Sequence, residues 1–121
     1  MSKPANVGPV DGAVLSRDLA ALAEFGRDPT GGWTRPALTP SDAQARRYVA
    51  GRMRAIGMTL THDQVGNLIG RWSGTEAGAR PVITGSHLDT VPSGGRFDGP
   101  LGVVGALGAV EALARAAWPG S

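Results

Sequence analysis

The chain has 121 residues, 41% of them hydrophobic and 18% charged, which suits one folded domain or a part of one and rules out a disordered tail. Twelve basic residues against ten acidic ones leave a formal charge of +2, so the pI of about 9.9 reflects a small arginine excess and gives little footing to nucleic-acid binding. There is no cysteine, which excludes disulfides, thiolate metal sites and a cysteine nucleophile, and the only histidines are His62 and His87.

Residues 1–12 read as a flexible lead with one lysine and no apolar run, so no secretory signal is expected there. Val14 to Phe25 carries an apolar stripe at near-helical spacing and is stopped by Gly26. The stretch 27–38 holds Asp28-Pro29, Gly31-Gly32 and Arg35-Pro36 and reads as loop. A second helix has a clear start, with Thr39 as N-cap, Pro40 in the first turn and Asp42 three residues after the cap; Gly57 is its expected stop. The period then shortens. Met58 to Gln64 and Leu68 to Trp72 are expected strands around a turn at Gly66-Asn67. Ser73 to Arg80 is loop, and Pro81 to Gly85 has the short apolar run of a buried strand. A polar, glycine-rich loop from Ser86 to Asp98 leads into a last helix, Pro100 to Ala117, apolar around most of its circumference. The longest uncharged stretch, 99–110, is too short to cross a bilayer, so a cytoplasmic protein with no membrane partner is expected.

Helices, strands, a loop and a buried helix make an α/β pattern. Strand, loop and helix at 81–117 are the first half of a βαβ unit whose returning strand is not in the sequence, which suggests one part of a larger, incomplete domain.

The chemistry sits in the loop between them. His87 follows the expected strand, at the end where ligands bind in open α/β sheets, and Asp98 precedes the helix. Gly94, Gly95 and Gly99 let the loop fold back and bring the two together. An imidazole nitrogen and a carboxylate oxygen are ordinary ligands of a divalent cation. Asp89, two residues past His87, would point to the same side in extended chain and hold the other ring nitrogen. Plainer roles are open to each: a polar surface histidine, an N-cap at Asp98, a turn cap at Asp89. His62, in a strand-like segment far from this loop, reads as a surface or edge residue.

The run from Gly85 to Val103, Gly-Ser-His-Leu-Asp-Thr-Val-Pro-Ser-Gly-Gly-Arg-Phe-Asp-Gly-Pro-Leu-Gly-Val, resembles the metal-binding signature of the amidase/hydantoinase-carbamoylase family, a branch of the aminoacylase/carboxypeptidase superfamily of dinuclear metallohydrolases. Phe25-Gly26, Gly31 to Arg35, Leu38-Thr39, Arg52 to Arg54 and Gly66 to Leu68 are similar to the same family's N-terminal region, so the resemblance covers roughly residues 13–115. Gly-Gly-Arg-Phe-Asp-Gly is the part that points to the carbamoylase-like branch. The resemblance implies an N-terminal portion, residues 13–121, of a catalytic domain with a mixed sheet flanked by helices. It implies two divalent ions (Zn, Mn, Co or Ni), with His87 a ligand of one, Asp98 the bridge between both and Asp89 the catalytic support of His87. Implied too are a Glu-Glu pair, two further histidine ligands and a dimerisation domain beyond residue 121. The expected reaction is hydrolysis of a linear amide or ureido C–N bond in N-carbamoyl-L-amino acids or allantoate-like ureido acids by a homodimeric enzyme, with this chain inactive alone. An aminoacylase or dipeptidase of the same superfamily, or a non-catalytic remnant, is the alternative. Thr34-Arg35 falls in a family-typical loop and receives no role.

Overall fold

The computed structural model describes residues 6–118. In chain order the elements are helix α1 (Gly12–Leu22), helix α2 (Pro40–Ile56), strands β1 (Thr59–His62) and β2 (Leu68–Arg71), and helix α3 (Pro100–Arg115). Helix α1 starts earlier than its apolar stripe suggests because Asp11 caps it, the carboxylate accepting from the amides of Ala13 and Val14. Of the expected flexible lead, residues 1–5 lie outside the described residues. Beyond them, Arg115 donates to the Pro9 carbonyl and Val10 fills the notch over Gly108 on α3.

Helix α2 forms as its caps dictate. Thr39 Oγ1 accepts from the Asp42 amide, Pro40 occupies the first turn, and Gly57 closes the helix in the left-handed conformation, its N–H returned to Arg54 and Met53 carbonyls. Asp42 in turn accepts from the Leu38 amide. Strands β1 and β2 form an antiparallel hairpin, Thr59 opposite Arg71 and His62 opposite Leu68, closed by Asp63, which accepts from the amides of Val65 and Asn67.

The core lies among the three helices: Leu19 and Leu22 from α1, Ala45 and Val49 from α2, Val103, Val104 and Leu107 from α3, and Leu88 from the loop ahead of α3. A buried polar knot ties the same three helices. Asp18 on α1 accepts from the Tyr48 hydroxyl at 2.7 Å and from Arg52 Nε at 2.8 Å, and Arg52 reaches Glu111 on α3 at 3.2 Å. Burial works against the Asp18 carboxylate, yet the hydrogen bonds from Tyr48, Arg52 and Arg17 outweigh it and hold its pKa below the usual value.

One expected element is corrected. Pro81 to Gly85 is neither strand nor buried; Val82 and Ile83 are 92% and 88% exposed. Strands β1 and β2 pair only with each other, so no described strand lies beside this segment, and valine and isoleucine favour a strand only where a pleated neighbour receives them. The α/β class holds, with three helices and a two-stranded sheet. Among the described residues no helix is long and apolar enough to cross a membrane.

Candidate functional site

The loop between Gly85 and α3 runs extended through His87-Leu88-Asp89-Thr90, and the side chains alternate. Leu88 and Thr90 are buried, while His87 and Asp89 face outward. Leu88 anchors the stretch in the core, so the histidine and the aspartate are presented together on the outer side. His87 Nδ1 stands 3.0 Å from the Asp89 carbonyl oxygen and 3.4 Å from its Oδ1. Both neighbours are acceptors, so Nδ1 is the donor nitrogen and, in the neutral ring, Nε2 is the one with the lone pair. That is the tautomer of a metal-ligating histidine braced by an acceptor behind it.

Two glycines on the first turn of α3 make room for this stretch. A Cβ at Gly102 would stand 2.7 Å from Ser86 Cβ; a Cβ at Gly99 would stand 2.5 Å from the His87 carbonyl oxygen and 2.7 Å from ring atoms Nδ1 and Cε1. Gly99 also has φ +93°, which side-chain-bearing residues rarely adopt. The imidazole therefore lies against the residue next to Asp98, and the two ends of the loop meet. Asp98 is exposed and is not spent on capping. Gly99 is the N-cap of α3, and no side chain caps that helix. Nor does Asp89 cap a turn with Thr90, whose amide goes to the Arg35 carbonyl. The plainer roles open to the two aspartates in the sequence are thus not the ones they fill.

His87 and Asp98 supply an imidazole nitrogen and a carboxylate, a donor pair suited to Zn²⁺, Mn²⁺, Co²⁺ or Ni²⁺. Among the described residues no group of three or more His, Cys, Asp or Glu side chains that could hold a metal ion is gathered. His62 is exposed on β1, beside Arg46, Arg47 and Arg54, and does not join them.

What sequence reasoning missed is the scaffold beneath the loop. Residues 27–35 form a strap under it. Trp33 and Gly94 exchange both backbone hydrogen bonds, at 3.0 and 2.8 Å, and the Trp33 indole donates to the Ala23 carbonyl. Asp28 accepts from the hydroxyls of Thr30 and Thr34 and from Ser93, and these bonds, the Thr30 hydroxyl first, hold its pKa down at about 2. Arg35 is 1% exposed. Its guanidinium donates to three carbonyls: Leu88 at 2.8 Å, Leu22 at 3.0 Å and Phe25. Burial pulls its pKa down, and the charges of Asp42 and Asp89 pull the other way. The only signal in the sequence was the Thr34-Arg35 pair in a loop, and a lone arginine in a loop reads as surface until its acceptors are known.

No family model matches the chain. It is similar to ureidoglycolate hydrolase of Oryza sativa subsp. japonica, 44% identical over 109 residues that make up 90% of this chain and 22% of that protein. It is also similar to N-carbamoyl-L-amino acid amidohydrolase of Geobacillus stearothermophilus, 43% identical over 104 residues, 86% of this chain and 25% of that one. Among solved structures, a hydantoinase/carbamoylase family amidase from Burkholderia ambifaria superposes with a TM-score of 0.85 at 49% identity, over 89% of this chain and 26% of that one. The chain matches the N-terminal part of the hydantoinase/carbamoylase family amidases. It spans about a quarter of the length of the relatives it matches. The resemblance read from the His87 to Asp98 loop is borne out, and the amidase relatives share the fold that holds this loop.

Proposed function

We propose that this chain carries the first ligands of a dinuclear metal centre in an amidohydrolase acting on linear ureido or amide C–N bonds, with N-carbamoyl amino acids or related ureido acids as substrates. The single observation that supports it most is the seating of His87 against Gly99, the residue after Asp98, at the start of α3, with His87 Nδ1 facing the Asp89 carbonyl and carboxylate. Bound divalent ions would acidify a water and polarise the scissile carbonyl. The residues here do the holding. His87 offers Nε2, Asp89 keeps its ring in that tautomer, and Asp98 offers two oxygens, enough for one carboxylate to serve two ions. None of the three is left over as a general base. Glu111, the acid on α3, is engaged by Arg52. Turnover therefore needs groups other than these, and a homodimer of the larger enzyme is part of the same reading.

Two titrations test it. Zn²⁺ added to the 121-residue chain is expected to bind weakly, and His87→Ala or Asp98→Ala to abolish that binding. Tight stoichiometric binding, or binding that ignores both substitutions, would overturn the assignment. With Mn²⁺, Zn²⁺ or Co²⁺ present, the chain alone is expected to release nothing from N-carbamoyl-L-amino acids. Turnover that His87→Ala removes would show that the base is already present.

A further inference from the structure

Arg35 is a cation sealed from water with no carboxylate hydrogen-bonded to it; every described acceptor of its guanidinium is a backbone carbonyl. Burying a charge on these terms is costly, and an apolar side chain would fill the space at less expense. What it holds is informative. Two acceptors, Leu22 and Phe25, belong to the C-terminal end of α1 and the turn after it, where carbonyls lack helical partners and the helix dipole is negative. The third is the Leu88 carbonyl, in the peptide between Leu88 and Asp89. The backbone of Arg35 holds the next peptide as well. Its N–H donates to Thr90 Oγ1 and its carbonyl accepts from the Thr90 amide, both at 2.8 Å. In a trans peptide the N–H and C=O point in opposite directions. Drawing the Thr90 N–H toward Arg35 therefore turns the Asp89 carbonyl outward, where it stands 3.0 Å from His87 Nδ1.

We propose that Arg35 is a positioning residue for the metal site: by fixing both peptides that flank Asp89, it sets the Asp89 carbonyl and carboxylate behind His87 and so fixes where the imidazole points. The inference rests on the metal-site reading above. It assigns Arg35 no contact with metal or substrate.

The test is residue-resolved broadening of backbone amide signals by Mn²⁺ in the full chain, comparing wild type with Arg35→Lys, Arg35→Met and His87→Ala. Broadening at residues 87–89 and 98–99 is expected in wild type and absent in His87→Ala. Both Arg35 variants are expected to need about tenfold more Mn²⁺ for the same broadening, the usual scale for losing the support behind a ligand. Amide shifts in α2 and the β1–β2 hairpin are expected to stay as in wild type. If His87→Ala leaves the broadening intact, the metal reading fails and this inference falls with it. If His87→Ala abolishes it while Arg35→Lys and Arg35→Met match wild type, only the role of Arg35 is refuted. Arg35→Met can lose too much packing to fold, but Arg35→Lys keeps the charge and one donor. An Arg35→Lys chain that is unfolded where wild type is folded would show that Arg35 serves folding and would equally overturn the proposal.

Discussion

The pairing of His87 with Asp89 was legible in the sequence because residues two apart on extended chain share a side. The alternation around Leu88 delivers that geometry. Arg35 was not legible, because its meaning lies in partners tens of residues away, Leu88 and Thr90. Asp28 makes a pH prediction. Its carboxylate is held at about 2 in the folded chain against an ordinary 3.8, so its contribution is present above 3.8 and disappears as the pH falls toward about 2. Asp28→Asn is expected to lower the melting temperature at neutral pH and to flatten the loss of stability across that acid window. Melting curves of both proteins from pH 7 down to 2 check this, and parallel acid limbs would refute it.

At the scale of elements, α2 and the hairpin were readable because their signals are local: Thr39, Pro40 and Gly57 for the helix, the Gly66-Asn67 turn for the strands. Segment 81–85 was misread because a buried strand is defined by neighbours, and the described residues supply none. The start of α3 depends on Gly99. A methyl there would collide with the His87 carbonyl and ring on a backbone with positive φ, so Gly99→Ala is expected to displace His87 and weaken Zn²⁺ binding together with stability. Chemical shifts of residues 86–90 that match wild type in this variant would contradict the packing described. The Asp18 knot carries the helix arrangement. Asp18→Ala leaves the Tyr48 hydroxyl and the half-buried Arg52 without their acceptor and is expected to cost about 3 kcal/mol in urea unfolding, the scale of a buried pair losing one partner. A loss below about 1 kcal/mol would mean that water replaces the carboxylate.

For the molecule as a whole, the core is shared by three helices and one site loop, while an apolar edge is left open. Val82 and Ile83 are almost fully exposed, and Val91 lies 70% exposed further along the same stretch. Exposed apolar side chains on unpaired extended backbone favour association. The chain is expected to self-associate with rising concentration, and Val82→Ser with Ile83→Ser to reduce this in sedimentation velocity. The α/β class and the polar, glycine-rich loop leading into α3 were both visible from the sequence, but how the loop is held was not, because it depends on the 27–35 strap crossing beneath it. The most direct measurement of the central claim is an anomalous-scattering map from crystals of this chain grown with Zn²⁺. The account predicts a peak about 2.0–2.2 Å from His87 Nε2 and from an Asp98 oxygen, with Asp89 behind the imidazole. A peak only at His62, or at His87 with Asp98 turned away from the ion, would contradict it.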